Sequence, residues 1–94
     1  IRRAYARAFE GIDVLLTPTA PSVAFRQGEK TADPLTMYLE DVFTVGVNVA
    51  GIPAISLPCG DHAGLPVGMQ LIGAYGSDDS LLDLSGQIEA LLKL

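Results

Sequence analysis

The spacing of apolar and polar residues changes several times along the chain, and each change marks an element boundary. Over the first ten residues Ala4, Tyr5, Ala8 and Phe9 interleave with Arg2, Arg3 and Arg7, which predicts a helix, and Gly11 follows as its stop. Asp13 to Thr17 (DVLLT) has a contiguous apolar centre, the pattern of a short strand buried on both faces, and Pro18 and Pro21 end it. Ser22 to Ala32 is polar and reads as a loop. Asp33 and Pro34 then form an N-cap followed by proline at the first helical position. Leu35, Tyr38, Leu39 and Val42 recur at helical spacing and are predicted to face a core, with Glu40 and Asp41 on the opposite side. Thr44 is predicted to cap a second helix that runs to Val49 or Ala50 and stops at Gly51 and Pro53.

The second half of the chain alternates differently. Ala54 to Leu57 reads as a strand, Cys59 to Pro66 as a turn-rich loop, and Val67 to Ile72 as a third strand with Val67, Met69 and Leu71 on one face. The loop length predicts antiparallel pairing of these two strands. Ser77 or Asp78 is predicted to cap a last helix, and Leu81, Leu84, Ile88 and Leu91 form its apolar stripe. Gly86 inside that helix costs about 1 kcal/mol relative to Ala. The order helix, strand, helices, strand, strand, helix defines an α/β class. Its open strand edges imply more sheet than these residues supply.

Length and charge narrow this picture. With 94 residues the chain is at most one small domain or a piece of a larger one. A chain of this size buries only about 60–65% of its unfolded surface, so it would be marginal alone. It begins with Ile1 rather than Met, inside an uncapped helical pattern, and the expectation is a C-terminal part of a longer protein. Between Thr31 and Leu92 there are eight acidic residues and no Lys or Arg. That stretch disfavours phosphate contact, so nucleic-acid binding by this segment and attraction to an anionic membrane are not expected. Cys59 is the single cysteine, which excludes an internal disulfide. No apolar run approaches the roughly 20 residues of a membrane-spanning helix.

No complete catalytic motif is present: there is no G-x-S-x-G elbow, Walker loop, C-x-x-C or H-E-x-x-H. Cys59 and His62 are three apart, but a nucleophile and base need hydrogen-bond geometry that a Gly-flanked turn rarely gives. The simpler expectation is a small buried Cys59 at a strand end and a solvated His62. Asp41 lies beside Met37, Tyr38, Val42 and Phe43, where a carboxylate near apolar surface would attract an ammonium group strongly. A solvated helix face is the alternative, and helical periodicity places Glu40 and Asp41 symmetrically about the polar side. Thr17 and Thr19 either line a site at a strand end or bond their own backbone. Asn48 and Gln70 are expected to be buried amides that hold loops, and Gly51, Gly60, Gly64 and Gly68 to be turn or close-packing glycines.

Three segments carry a resemblance. Asp13 to Pro21 (DVLLTPTAP), Asn48 to Gly60 (NVAGIPAISLPCG) and Gly64 to Gly73 (GLPVGMQLIG) resemble segments of the amidase signature family. A narrower signal, Gly28 to Lys30 and then Asp33 to Thr44 (DPLTMYLEDVFT), resembles the A subunits of glutamyl-tRNA(Gln)/aspartyl-tRNA(Asn) amidotransferases. The resemblance covers Gly11 to Leu92.

The resemblance implies a fragment of an α/β/α fold with a mixed sheet, residues 1–94 being the C-terminal part of a single amidase domain. It implies amide cleavage by a Ser–cis-Ser–Lys triad, with glutamine as substrate. Ammonia would pass to the B subunit of a heterotrimer, which uses ATP and Mg²⁺, and a small C subunit would brace the pair. No cofactor is implied in this chain, and the implied location is the cytoplasm or an organellar matrix. The triad would lie upstream of Ile1: Lys30 and Lys93 match no catalytic lysine and Ser56 does not match the nucleophile motif, so the chain alone is expected to be inactive. Asp41 matches the acidic residue of the family's MYxxD segment, which holds the α-ammonium of glutamine. The arginine for the α-carboxylate would also lie upstream, and Arg2 and Arg3 do not take its place. Two other readings stay open at this point: another amidase signature hydrolase acting on a small amide or urea derivative, and an inactive truncated module.

Overall fold

A computed structural model describes residues 2–24, 26 and 34–92. Seven elements follow in order: α1 (Arg2–Ala8), β1 (Val14–Pro18), α2 (Pro34–Glu40), α3 (Val45–Ala50), β2 (Ala54–His62), β3 (Leu65–Gly73) and α4 (Asp78–Leu92). The strands form one sheet in the order β1-β3-β2, so the last strand in sequence is the central one. Both pairings are antiparallel.

Side chains alternate across a strand, and the register sorts them into two faces. On one face Ile72 and Leu15 meet Val47 and Ala50 of α3 and Ile52, with Tyr5 and Phe9 of α1 packed against them. On the other, Leu57, Leu71 and Met69 meet Leu81 and Ile88 of α4, with Val14 and Ile55 beside them. The sheet is therefore sandwiched between helices, as the α/β/α expectation requires.

The β2–β3 hairpin is longer than the sequence pattern predicts. The strands run on through Cys59 to His62 and from Leu65, and only Ala63 and Gly64 form the turn, both at positive φ. A two-residue turn of that hand matches the twist of the flanking strands. The residues that read as a loop are accommodated by position. Pro58 lies on β2, which among the described residues pairs on one side only, and Pro66 lies beyond the end of β1. A proline is tolerated where no partner needs its N–H. A bulge between Pro58 and Gly60 absorbs Cys59, which is exposed rather than buried, its thiol donating to the Val67 carbonyl at 3.5 Å.

Several predicted faces are exposed. Leu16 of β1 is 64% exposed, so the strand is not buried on both sides; β1 is an edge strand, and α4 packs on β2 and β3. The α2 stripe fares likewise: Leu35 and Tyr38 are 65% and 61% exposed, and Leu39, Val42 and Phe43 are exposed too. Periodicity reports that an apolar face exists, and nothing in it says that these 94 residues contain the surface to cover it. In α4, Leu81 is buried and Leu84 and Ile88 half-buried, while Leu91 is exposed. Ser85 completes the buried side, and among the described residues its hydroxyl has no hydrogen-bond partner.

The helix ends follow the predicted signals with one change. Gly51 ends α3, its N–H donating to the Val47 and Asn48 carbonyls. Ser77 precedes α4, its carbonyl accepting from Leu81 N–H at 2.8 Å, and Asp78 and Asp79 occupy the first turn, where the helix dipole favours acids. Thr44 stands at the N-cap of α3 but makes no side-chain cap bond; its hydroxyl donates back to the Asp41 carbonyl at 3.3 Å. The backbone of Thr44 is already near-helical (φ −111°, ψ −24°), which turns its side chain away from the helix N–H groups.

Candidate functional site

The face covered by α3 changes character along the strands. Thr17 of β1 and Ser56 of β2 both lie opposite Gln70 of β3, so these three side chains share one row of that face. Gln70 is 4% exposed. A buried amide is costly unless bonded, and Gln70 Nε2 donates to Thr17 Oγ1 at 3.0 Å and to the Phe43 carbonyl at 2.9 Å. Thr17 gives its own proton to the Pro18 carbonyl at 2.9 Å. Gln70 is thus the loop-holding buried amide that its position in β3 predicts. Asn48 is not: it is exposed, and its Nδ2 donates within α3 to the Thr44 carbonyl at 3.0 Å.

The loop that Gln70 holds is the four-residue turn between α2 and α3. Asp41 opens it, past the end of α2 rather than on that helix. Its carbonyl accepts from Thr44 N–H and Val45 N–H, both at 3.0 Å, and its side chain is exposed. Helical periodicity could not separate Glu40 from Asp41; the helix end does, leaving Glu40 on α2 and Asp41 on the turn.

One row further along, the sheet forms the floor of an open cavity of about 880 Å³. Gly68, Ser56, Pro58 and Val67 lie beneath it, the Pro18–Ala24 segment folds over it, and His62 and Pro66 line it from the hairpin end. Thr19 and Ser56 hydrogen-bond through their hydroxyls at 2.7 Å across Gly68. Thr19 is therefore a cavity-lining residue, while Thr17 spends its hydroxyl on Gln70 and its own backbone. The sequence reading missed Ser56, which alternation placed on a strand without showing what it faced. His62 is exposed and lines the cavity; Cys59 does not, so the two are not brought together there. Asp33 lies outside the described residues. Among the described residues no three His, Cys, Asp or Glu side chains are grouped to hold a metal ion.

Gly68 makes the hydroxyl pair possible. A Cβ there would sit 3.0 Å from Ser56 Oγ and 3.2 Å from Thr19 Oγ1. Gly68→Ala is expected to part the hydroxyls and destabilise the chain by about 1–3 kcal/mol, the usual range for overpacking. Thermal melting would measure it, and Ser56→Gly in the same chain should recover part of the loss.

The family model described as Amidase matches residues 1–82. The chain belongs to the amidase family. Over 87 residues this amidase chain is 55% identical to the A subunit of the glutamyl-tRNA(Gln) amidotransferase of Thioalkalivibrio sulfidiphilus, a match that covers 93% of this chain and 18% of that protein. The crystal structure of the corresponding A subunit of the Thermotoga maritima glutamyl-tRNA(Gln) amidotransferase superposes with a TM-score of 0.80 at 45% identity, over 85% of this chain and 18% of that one. A 6-aminohexanoate cyclic dimer hydrolase shares the arrangement at 33% identity, with a TM-score of 0.75, over 99% of this chain and 23% of that one. The amidase chain thus spans less than a fifth of the length of the curated relative it matches. Among the described residues no helix is long and apolar enough to cross a membrane.

Proposed function

We propose that this amidase chain is the C-terminal part of the single amidase domain of a glutamine-hydrolysing amidotransferase A subunit. The observation that carries the reading is the contrast in identity between superposed structures: 45% with an amidotransferase A subunit and 33% with a hydrolase of the same arrangement. In this reading the longer protein supplies a Ser–cis-Ser–Lys triad, and the 94 residues contribute Asp41. The Asp41 carboxylate pairs with the α-ammonium of glutamine once the remainder of the protein closes over it and excludes water, because an ion pair strengthens as the local dielectric falls. The ammonia released passes to the B subunit, which uses ATP and Mg²⁺ to amidate Glu-tRNA(Gln) or Asp-tRNA(Asn), with the small C subunit bracing the two. The complex works in the cytoplasm or an organellar matrix. The rival reading, a stand-alone hydrolase of small amides, lacks support from the Asp33–Thr44 segment, which resembles the amidotransferases.

Ammonia release from glutamine separates the two readings. The full-length protein is expected to release ammonia fast only with its tRNA-binding partner present, and the 94-residue chain to release none. Rapid hydrolysis of small amides by the full-length protein alone, indifferent to the partner, would replace this reading with the stand-alone hydrolase.

A further inference from the structure

We propose that Gln70 is a positioning residue for Asp41: through the Phe43 carbonyl it fixes the turn that carries the carboxylate to the sheet. The inference rests on the reading of Asp41 as the residue that holds the α-ammonium of glutamine. The bonds within the turn, from Thr44 N–H, Val45 N–H and Thr44 Oγ1 to the Asp41 carbonyl, set its shape. They do not set its place. The bond from Gln70 to Phe43, two residues beyond Asp41, ties the turn to the central strand.

The tie has a fixed polarity. Thr17 Oγ1 has one proton, and that proton goes to the Pro18 carbonyl, so toward Gln70 the hydroxyl acts as acceptor. The two protons of the Gln70 amide are then matched to two acceptors, one on β1 and one on the turn. A side chain of equal length without those donors leaves the Phe43 carbonyl free to drift. An ion pair at a closed site is sensitive to such drift, since a misplacement of about 1 Å can lower a rate by about 100-fold.

The test uses the full-length enzyme with its partner subunits and two substrates: glutamine, and glutaramate, which is glutamine without the α-amino group. Gln70→Met is expected to lower kcat/KM for glutamine about tenfold, a loss of about 1.4 kcal/mol of transition-state stabilisation, mostly through KM. It is expected to leave kcat/KM for glutaramate within about twofold, because that substrate has no ammonium to misplace. In an Asp41→Ala background Gln70→Met should add little, the non-additivity of residues that act as a unit. Equal losses on both substrates would mean a structural role only, and no loss on either would mean no role; each overturns the inference. If Asp41→Ala itself leaves the preference for glutamine over glutaramate unchanged, the reading of Asp41 fails and this inference fails with it. If Asp41→Ala abolishes that preference while Gln70→Met retains it, the positioning role alone is lost. Should Gln70→Met not fold, Thr17→Val decides by the same ratio, with an expected loss for glutamine of about threefold; an unchanged ratio in that variant overturns the inference.

Discussion

Asp41→Ala in the full-length protein is expected to raise the KM for glutamine about 100-fold, with kcat within about threefold of the parent, because under the proposed function it removes one partner of a charge pair desolvated in the closed site, and such a loss weakens binding by orders of magnitude. Steady-state ammonia release gives both constants. Asp41→Asn should fall close to Asp41→Ala, since the amide keeps the shape and loses the charge that attracts an ammonium. Glu40→Gln is the control: it keeps the shape of the neighbouring, half-buried side chain at the end of α2, removes its charge, and should change KM less than about twofold if the ammonium is held by Asp41. A KM for glutamine that does not move in Asp41→Ala would remove the residue from the substrate site. A fall in kcat with KM constant would place it in the chemical step instead.

Leu71→Ala is expected to produce the largest loss of stability. Leu71 is 2% exposed, lies on the central strand, and stands opposite Leu16 on one side and Ile55 on the other. It packs with Leu57 and Leu81, and so links the sheet to α4. Truncating the side chain at such a site removes the transfer free energy of the lost carbons and leaves a cavity that rigid strands close poorly. The expected cost is about 3–5 kcal/mol. Loss on that scale is comparable to the whole stability of many small domains, so the full-length protein carrying Leu71→Ala should unfold at a clearly lower urea concentration than its parent. Leu16→Ala gives the contrast. It removes the same atoms from a side chain 64% exposed on the edge strand and should lower the urea midpoint only slightly.

The parts of the fold legible in the sequence are those fixed by local chemistry. Gly51 after an apolar run, paired acids at Asp78 and Asp79, and apolar runs bounded by Gly and Pro placed the described helices and the starts of the strands within a few residues, while β2 runs five residues past its expected end at Leu57. What failed depended on neighbours. Pro58, Gly60 and Pro66 look like a loop until one knows that β2 is an edge strand and that β1 stops short of Pro66. Leu35, Tyr38 and Leu16 look like core because periodicity carries no information about what covers a face. The candidate site divides the same way. Gln70 was readable as a buried amide, since a lone polar residue in an apolar strand must find partners. Its partners were not, because Thr17 and Phe43 come to it through sheet order and the α2–α3 turn. Asp41 drew its role from resemblance to the family, and its position on a turn rather than a helix came only with the structure.

The strand order β1-β3-β2 also sets a sequence of events in synthesis. Thr17 and its bonded neighbour Gln70 are 53 residues apart. At roughly 5–20 residues per second, β1 leaves the ribosome about 3–10 s before the strand that completes it. During that interval Val14, Leu15 and Leu16 lack the strand that pairs with them among the described residues, and an apolar strand with an open edge is the kind that recruits other chains. The β2–β3 hairpin, closed by its two-residue turn, has no such delay. Folding of this segment should therefore start at its C-terminal half, and any chaperone that attends it would be needed earliest at the Val14–Pro18 strand.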